Sequence, residues 1–276
     1  MRGCGLKLAI AFGVVVVVVA AIVIGVALTR DTVATPGCTV SRPGDNGAQS
    51  SYTFTPEQMG NAATIAAVGV KLGMPAHAGT VALATALQES KLRNLEGGDR
   101  DSVGLFQQRP SQGWGTPAQL RDPVYAATAF YKKLAKLPNW ENLPITEAAQ
   151  AVQLSGVPEA YAQWEPQSRL MAAAFNGQYP AALTCRNLTL APPADLAAVA
   201  TGELGTGRLS GAHPVPEGWK IASWLVGRAA QLGVDKVSFA GQTWTAESGS
   251  WAPDSEAGQA LSLHQAPAAP PKSEAP

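Results

Sequence analysis

Charged and metal-binding side chains are both scarce in this chain of 276 residues. Charged residues make up 14% of the sequence, and 20 basic residues balance 20 acidic ones, so the formal net charge is zero. Without a basic stripe, nucleic acid is not an expected partner. His77, His213 and His264 lie far apart, and no phosphate-cradling loop is present. We therefore expect neither a metal site nor a cofactor.

A long hydrophobic run occupies residues 8–28, after Arg2 and Lys7. About 20 apolar residues suffice to cross a hydrocarbon core of about 30 Å, so we predict a transmembrane helix. The preceding positive charges favour a cytoplasmic tip over residues 1–7, with the bulk of the chain outside. A cleaved export signal is the alternative, because small residues follow the run. The protein is then either a single-pass protein of the cell membrane or a secreted one.

The sequence contains only three cysteines, and they fall on the two sides of this run. Cys4 precedes it, whereas Cys38 and Cys185 follow it and nearly bracket one segment of the chain. Outside the cytoplasm such cysteines usually pair, so we predict a Cys38–Cys185 disulfide, with two free thiols as the alternative. Closing so long a loop stabilises the fold by about 4 to 5 kcal/mol.

Composition divides the remaining chain into a larger and a smaller folded part. The larger part is mostly helical, since no segment in it has a convincing strand period, and the smaller part is a helix followed by a hairpin. The fold class is therefore mainly α, with a small α+β unit near the C-terminus. The predicted segments are a flexible tether (29–51), a helical domain (52–185), a linker (186–216), the small unit (217–251) and a disordered tail (252–276).

Several helix boundaries in the larger part are marked by local signals. Thr55-Pro56-Glu57-Gln58 supplies an N-cap, a proline at the first helical position and an early acid. Asp122-Pro123 opens a later helix in the same way. Between them, residues 78–92 form an alanine-rich helix whose composition indicates close packing on more than one side. We expect this to be the central helix of the domain.

Glu89 lies at the end of this central helix and is the strongest candidate for a catalytic residue. Both the negative end of the helix dipole and an apolar setting disfavour a carboxylate there. A carboxylic acid kept protonated near neutral pH can protonate the leaving oxygen of a glycosidic bond. A surface glutamate in a last helical turn is the structural alternative.

The residues around Glu89 resemble the lysozyme-like superfamily, especially bacterial soluble lytic transglycosylases and goose-type lysozymes. The resemblance covers residues 60–165 and rests on Glu89-Ser90, Ser102, Gly104-Leu105-Phe106-Gln107 and Asp122-Pro123. It implies a helical lysozyme-like fold with a groove for peptidoglycan glycan strands, in which Glu89 is the general acid and base. It also implies that Ser102 orients the glutamate or the sugar.

Glutamines complete the substrate-binding set that the resemblance implies. Gln107 is expected to line the groove and bind saccharide, with Gln108 beside it. The family has a tyrosine that faces the catalytic carboxyl, in a Tyr-Asn-Ala-Gly-like motif, and the best local match here places Gln153 in that position. A second match, Phe175-Asn176-Gly177, preserves the asparagine and glycine but lies later in the chain.

Two functions remain open at this stage. The first is a membrane-tethered, extracytoplasmic enzyme that cleaves the MurNAc–GlcNAc bond of peptidoglycan, as a lytic transglycosylase or a muramidase. An inverting hydrolase needs a second carboxylate about 6.5 to 9.5 Å from the first, and Asp99 and Asp101 are the candidates. The second function is a noncatalytic wall-binding or scaffold protein with a degenerate groove, which Gln153 favours.

Overall fold

The computed structural model of the protein describes residues 35–42 and 51–267. The described residues from Pro36 onward belong to one compact unit. The hydrophobic run 8–28, for which we predicted a transmembrane helix, lies outside the described residues, as does the cytoplasmic tip. Every helix in the part of the chain that the structure describes is too short or too polar to span a bilayer.

Helices predominate among the described residues, which agrees with the predicted mainly α-helical class. The helices are α1 (Pro56–Lys71), α2 (Ala76–Ser90), α3 (Pro117–Leu120), α4 (Pro123–Leu134), α5 (Ile145–Gln153), α6 (Glu165–Phe175), α7 (Leu196–Leu204), α8 (Val215–Gly227) and α9 (Ala229–Leu232). The strands are β1 (Gly37–Ser41), β2 (Ser51–Phe54), β3 (Leu183–Arg186), β4 (Val234–Phe239), β5 (Gln242–Thr245), β6 (Trp251–Pro253) and β7 (Ser262–Gln265). Short 3-10 turns cover Pro110–Gln112, Trp140–Asn142 and Pro158–Trp164.

Helix α2 is the central helix, as predicted. It packs against α1, α4, α5 and α6, and its buried side chains are mostly alanine, valine and leucine. Small residues lie where α2 packs against α6. A Cβ built on Gly79 of α2 would stand 3.6 Å from the Cβ of Ala172 in α6. The helix is therefore held on several sides, and its last turn has a fixed position.

The predicted caps of α1 and α4 are both present. The Thr55 hydroxyl accepts from the Gln58 backbone N–H at 3.2 Å, and the Gln58 side chain accepts from the Thr55 N–H at 2.9 Å. The Asp122 carboxylate accepts from the backbone N–H groups of Val124 and Tyr125. These bonds satisfy N–H groups that a helix start leaves without partners.

The predicted disulfide joins Cys38 to Cys185, 147 residues apart in the sequence. The two cysteines are directly opposite each other in the antiparallel pair β1–β3, and β2 pairs with the other edge of β1. The prediction of a flexible tether over 29–51 is therefore wrong for residues 37–41. Strand pairing and the cross-link order this short segment, although its composition resembles that of a linker.

The prediction of a linker over 186–216 also differs from the structure. Helix α7 lies within it and packs on α1, with Leu196, Ala200 and Leu204 buried. At its end Glu203 forms an ion pair with Arg228, with 3.0 Å between Oε1 and Nη2. Because these contacts join α7 to its neighbours, the segment continues the core instead of separating two domains.

The small C-terminal unit is a sheet covered by α8, with strand order β6-β5-β4-β7. The side chains of Trp219, Trp224 and Trp244 are buried in its core. The Trp244 indole N–H donates to the carbonyl of Cys185, and α8 packs on α1 and α6. The unit therefore shares one core with the helical part. The prediction of a disordered tail is wrong for β7, whose residues pair with β4.

Candidate functional site

A polar cleft with a volume of about 680 Å³ lies at the C-terminal end of α2. All five residues that the sequence predicted for catalysis and substrate binding line it: Glu89, Ser102, Gln107, Gln108 and Gln153. They come from the end of α2, the following loop and the end of α5. The fold thus brings together positions that span more than sixty residues of the sequence.

The end of α2 fixes the position of Glu89. The helix stops at Lys91 and Leu92, which both have left-handed backbone angles, and the Leu92 N–H donates to the carbonyl of Ala86. The side chain of Leu92 is fully buried, so it anchors the end of the helix. The Ser90 hydroxyl donates to the carbonyl of Leu105 at 2.7 Å. This bond ties the residue after Glu89 to the loop that forms the opposite part of the cleft.

The Tyr161 hydroxyl faces the Glu89 carboxyl and donates to Oε1 at 2.8 Å. Tyr161 lies in the 3-10 turn Pro158–Trp164 and is fully buried. Burial raises the pKa of its phenol, and the charge of Glu89 and the hydrogen bond raise it further. The phenol therefore stays protonated and acts as the donor in this pair.

Among the hydrogen bonds of the described residues, Gln153 is not paired with Glu89, although the resemblance places it where the family has the tyrosine that faces the catalytic carboxyl. Its side-chain amide donates to the carbonyl of Phe106 at 2.7 Å, so it links α5 to the loop after α2. The aromatic hydroxyl comes instead from Tyr161, eight residues later in the chain. Sequence matching missed it because no asparagine or glycine of the expected motif stands beside it: the neighbours are Ala160 and Ala162.

Ser102 and Gln107 shape the loop that faces Glu89. The Ser102 hydroxyl donates to the carbonyl of Asp99 at 2.7 Å and lies 3.1 Å from Oε1 of Gln107. The Gln107 amide donates to the carbonyl of Gly104. Gly104 has a positive φ of 78°, and a Cβ there would stand 2.3 Å from the Leu120 carbonyl oxygen, so only glycine fits. Ser102 thus holds the loop, where we expected it to orient the glutamate or the sugar.

Gln108 is more deeply placed than Gln107 and only 2% exposed. Its amide nitrogen donates to the carbonyl of Ala126 at 3.2 Å, which joins the cleft wall to α4. Its Oε1 is buried and has no hydrogen-bond partner among the described residues.

The two candidates for a second carboxylate differ in their surroundings. Asp101 accepts from the Arg109 side chain at 2.8 Å and from the Ser111 N–H at 2.7 Å, and these bonds lower its pKa. It braces the loop and is not one of the residues that line the cleft. Asp99 does line the cleft, but its side chain is 93% exposed and lies 3.8 Å from Arg100. Of the two cleft carboxylates, only Glu89 is partly enclosed.

A cation and two aromatic rings lie close to the site. The Lys91 ammonium stands 4.1 Å from the centre of the Trp164 ring, and burial lowers its pKa while the charge of Glu89 opposes that shift. Trp164 donates to the Gln88 side chain at 2.7 Å. Trp114 lines the cleft, whereas Trp140 is buried in the core. Of these three tryptophans, Trp114 is therefore the one that lies in the cleft wall.

The described residues contain no group of three or more metal-binding side chains close enough to hold an ion. No protein-family model matches the chain, and a search of curated proteins finds no match either.

Proposed function

We propose that the protein is a membrane-tethered, extracytoplasmic enzyme that cleaves the MurNAc–GlcNAc bond of peptidoglycan glycan strands. The observation that carries this proposal is the Tyr161–Glu89 hydrogen bond at the wall of a polar cleft. Glycosidic cleavage requires a carboxyl group that gives up and regains a proton in a sheltered place. Glu89 meets this requirement, and its surroundings have the polar lining that a sugar chain needs.

The geometry assigns different tasks to the two oxygens of Glu89. Oε1 accepts the Tyr161 hydroxyl, so Oε2 is the oxygen that exchanges a proton with substrate. In the first step Glu89 donates its proton to the glycosidic oxygen as the bond from that oxygen to the anomeric carbon breaks. The Tyr161 hydrogen bond then stabilises the carboxylate that forms.

The second step returns the proton to Glu89. A hydroxyl of the same muramyl residue attacks the anomeric carbon, its oxygen forms the new bond, and its proton passes to Glu89, which gives an anhydro product. Hydrolysis replaces this hydroxyl with water. An inverting hydrolase needs a second carboxylate to activate the water. Asp101 is already bound by Arg109 and Ser111, and Asp99, although it lines the cleft, has a side chain that is 93% exposed to solvent. The intramolecular attack is therefore the reaction that we propose.

The proposed location follows from two features. The hydrophobic run 8–28 supplies the tether, and the Cys38–Cys185 disulfide is typical of an oxidising compartment. The scaffold alternative was based on the loss of the family's tyrosine at position 153. Since Tyr161 supplies a hydroxyl to Glu89, the structure offers no observation that favours it.

Product analysis tests the proposal. The full chain in detergent is incubated with purified peptidoglycan, and soluble products are identified by mass. We expect anhydromuropeptides from the wild type and none from Glu89→Gln, while Glu96→Gln, at an exposed glutamate outside the cleft, behaves as the wild type. Reducing-end products would establish hydrolysis in place of transglycosylation. Binding without any cleavage would refute the enzyme and support the scaffold.

A further inference from the structure

A second depression of about 270 Å³ adjoins the cleft. Gln112 and Trp114 line both spaces. The far side of the second depression is formed by three lysines on α4 and just beyond its end: Lys132, Lys133 and Lys136. We call Trp114 and these three lysines the lysine subsite.

Among the residues that the structure describes, none of the three ammonium groups has a carboxylate partner. Within the described part of the chain, none of the ion pairs involves Lys132, Lys133 or Lys136. The Lys133 ammonium lies 4.2 Å from the centre of the Trp114 ring, and burial lowers its pKa. A bound anion would attract this partly desolvated ammonium group more strongly than it would attract a fully solvated ammonium group.

Stabilisation of α4 alone does not account for the cluster. Cations in the last turn of a helix interact favourably with its dipole, by about 0.3 to 1 kcal/mol each. Lys136, however, lies beyond the end of α4 at Leu134. Lys132 and Lys136 are also four residues apart, where like charges on a helical turn repel each other. The three lysines therefore concentrate positive charge in a depression that shares Gln112 and Trp114 with the cleft.

We propose that the lysine subsite binds an anionic substituent of the same glycan strand whose sugars occupy the cleft. This inference rests on the proposed function, because it concerns the same polymer. The substituent is a carboxylate of the peptide stems or a phosphate of a polymer linked to the strand. The carboxylate and the phosphate are both anions that pair with an ammonium group in the same way. Trp114 supplies a flat apolar face beside the ammonium group of Lys133.

Binding to insoluble peptidoglycan tests this subsite without catalysis. The full chain carries Glu89→Gln to stop turnover, and the amount that sediments with the wall gives an apparent Kd. The test variant is K132Q/K133Q/K136Q, and K132R/K133R/K136R preserves the charges. The control is K71Q/R208Q/K236Q, which removes three exposed cations outside the cleft and the lysine subsite.

We expect the lysine-to-glutamine triple to raise the apparent Kd about tenfold, since three screened ion pairs of about 0.5 kcal/mol each are lost. The arginine triple and the control should remain within about twofold of the parent, and added salt should shrink the difference. An equal loss in the test and control triples would overturn the inference.

Two treatments of the wall identify the source of the anion. Removal of the peptide stems with an amidase should abolish the tenfold difference if the stems supply the carboxylates. Removal of phosphodiester-linked polymers with acid should abolish it if phosphate is the ligand. A difference that survives both treatments would overturn the inference. Cleavage by the wild type without lysine-dependent binding refutes only the subsite, and lysine-dependent binding without cleavage refutes only the enzyme.

Discussion

Two enclosed glutamates in this protein have opposite kinds of environment. Glu203, which is 4% exposed, has partners for both oxygens: Oε1 pairs with Arg228, and Oε2 accepts from the Trp224 indole and the Thr64 hydroxyl. Glu89 accepts from Tyr161 on Oε1 and lines an open cleft. A carboxylate with both oxygens bonded to protein partners serves the core, whereas one that lines a cleft can serve chemistry.

The largest effect expected is on catalysis. Glu89→Gln keeps the size of the side chain and its acceptor for Tyr161 but removes the exchangeable proton. We expect cleavage of peptidoglycan to fall by about 10² to 10⁴, the range typical of a general acid or base, with little change in melting temperature. Initial rates of product release measure the first, and thermal unfolding measures the second. A large loss of stability would instead indicate that Glu89, like Glu203, serves the core.

The next largest effect is on stability and concerns the other glutamate. Glu203→Ala leaves Arg228 without its partner, and breaking a buried pair costs about 3 to 5 kcal/mol. Since the Arg228 side chain is 18% exposed, we expect the lower end of that range in denaturant unfolding. Glu217→Ala, which removes a more exposed pair with Lys220, should cost less than about 1 kcal/mol. Equal effects of the two variants would contradict this description of Glu203.

Two buried tyrosines allow the same comparison between the cleft and the core. Tyr161→Phe removes the hydrogen bond to Glu89, and bonds to charged groups are worth about 1.5 to 3 kcal/mol. We expect the cleavage rate to fall about tenfold to a hundredfold. Tyr131 is an equally buried tyrosine whose hydroxyl donates to the Ile65 carbonyl at 3.0 Å. Tyr131→Phe should lower stability slightly and leave the rate per folded molecule unchanged.

The smallest effect is a pH-dependent one at a third carboxylate. The hydrogen bond from Arg109, followed by that from Ser111, holds the pKa of Asp101 below its ordinary value of 3.8. A carboxylate with a lowered pKa in the folded state stabilises the fold above its unfolded pKa and loses this contribution as the pH falls. We expect Asp101→Asn to lower the melting temperature slightly at neutral pH. The difference from the wild type should begin to shrink as the pH falls below about 3.8, and it should vanish only well below that, once the pH has passed the lowered pKa of the folded state.

Local signals were sufficient for the helices and for much of the cleft. The caps at Thr55 and Asp122 depend on neighbouring residues, so they can be read from the sequence. Glu89, Ser102 and Gln107 were predicted from a resemblance carried by residues that follow one another closely, and the structure places all three in one cleft.

Apart from the disulfide, several features that depend on distant contacts escaped sequence reasoning. Tyr161 reaches Glu89 across 72 residues of sequence, through a 3-10 turn whose position is set by packing. Strands β1 and β7 contain five and four residues, too few for a clear period. Their pairing with β3 and β4 gives them their structure, and no property of the isolated segments reveals it.

The disulfide determines how tension passes through the chain. It closes residues 38–185 into a covalent loop that contains α1 to α6 and the whole cleft. When tension acts between the segment before Cys38 and the chain after Cys185, the load passes through the sulfur atoms and not through the helices. Residues 39–184, which include the cleft, therefore cannot be drawn out along the line of such a force.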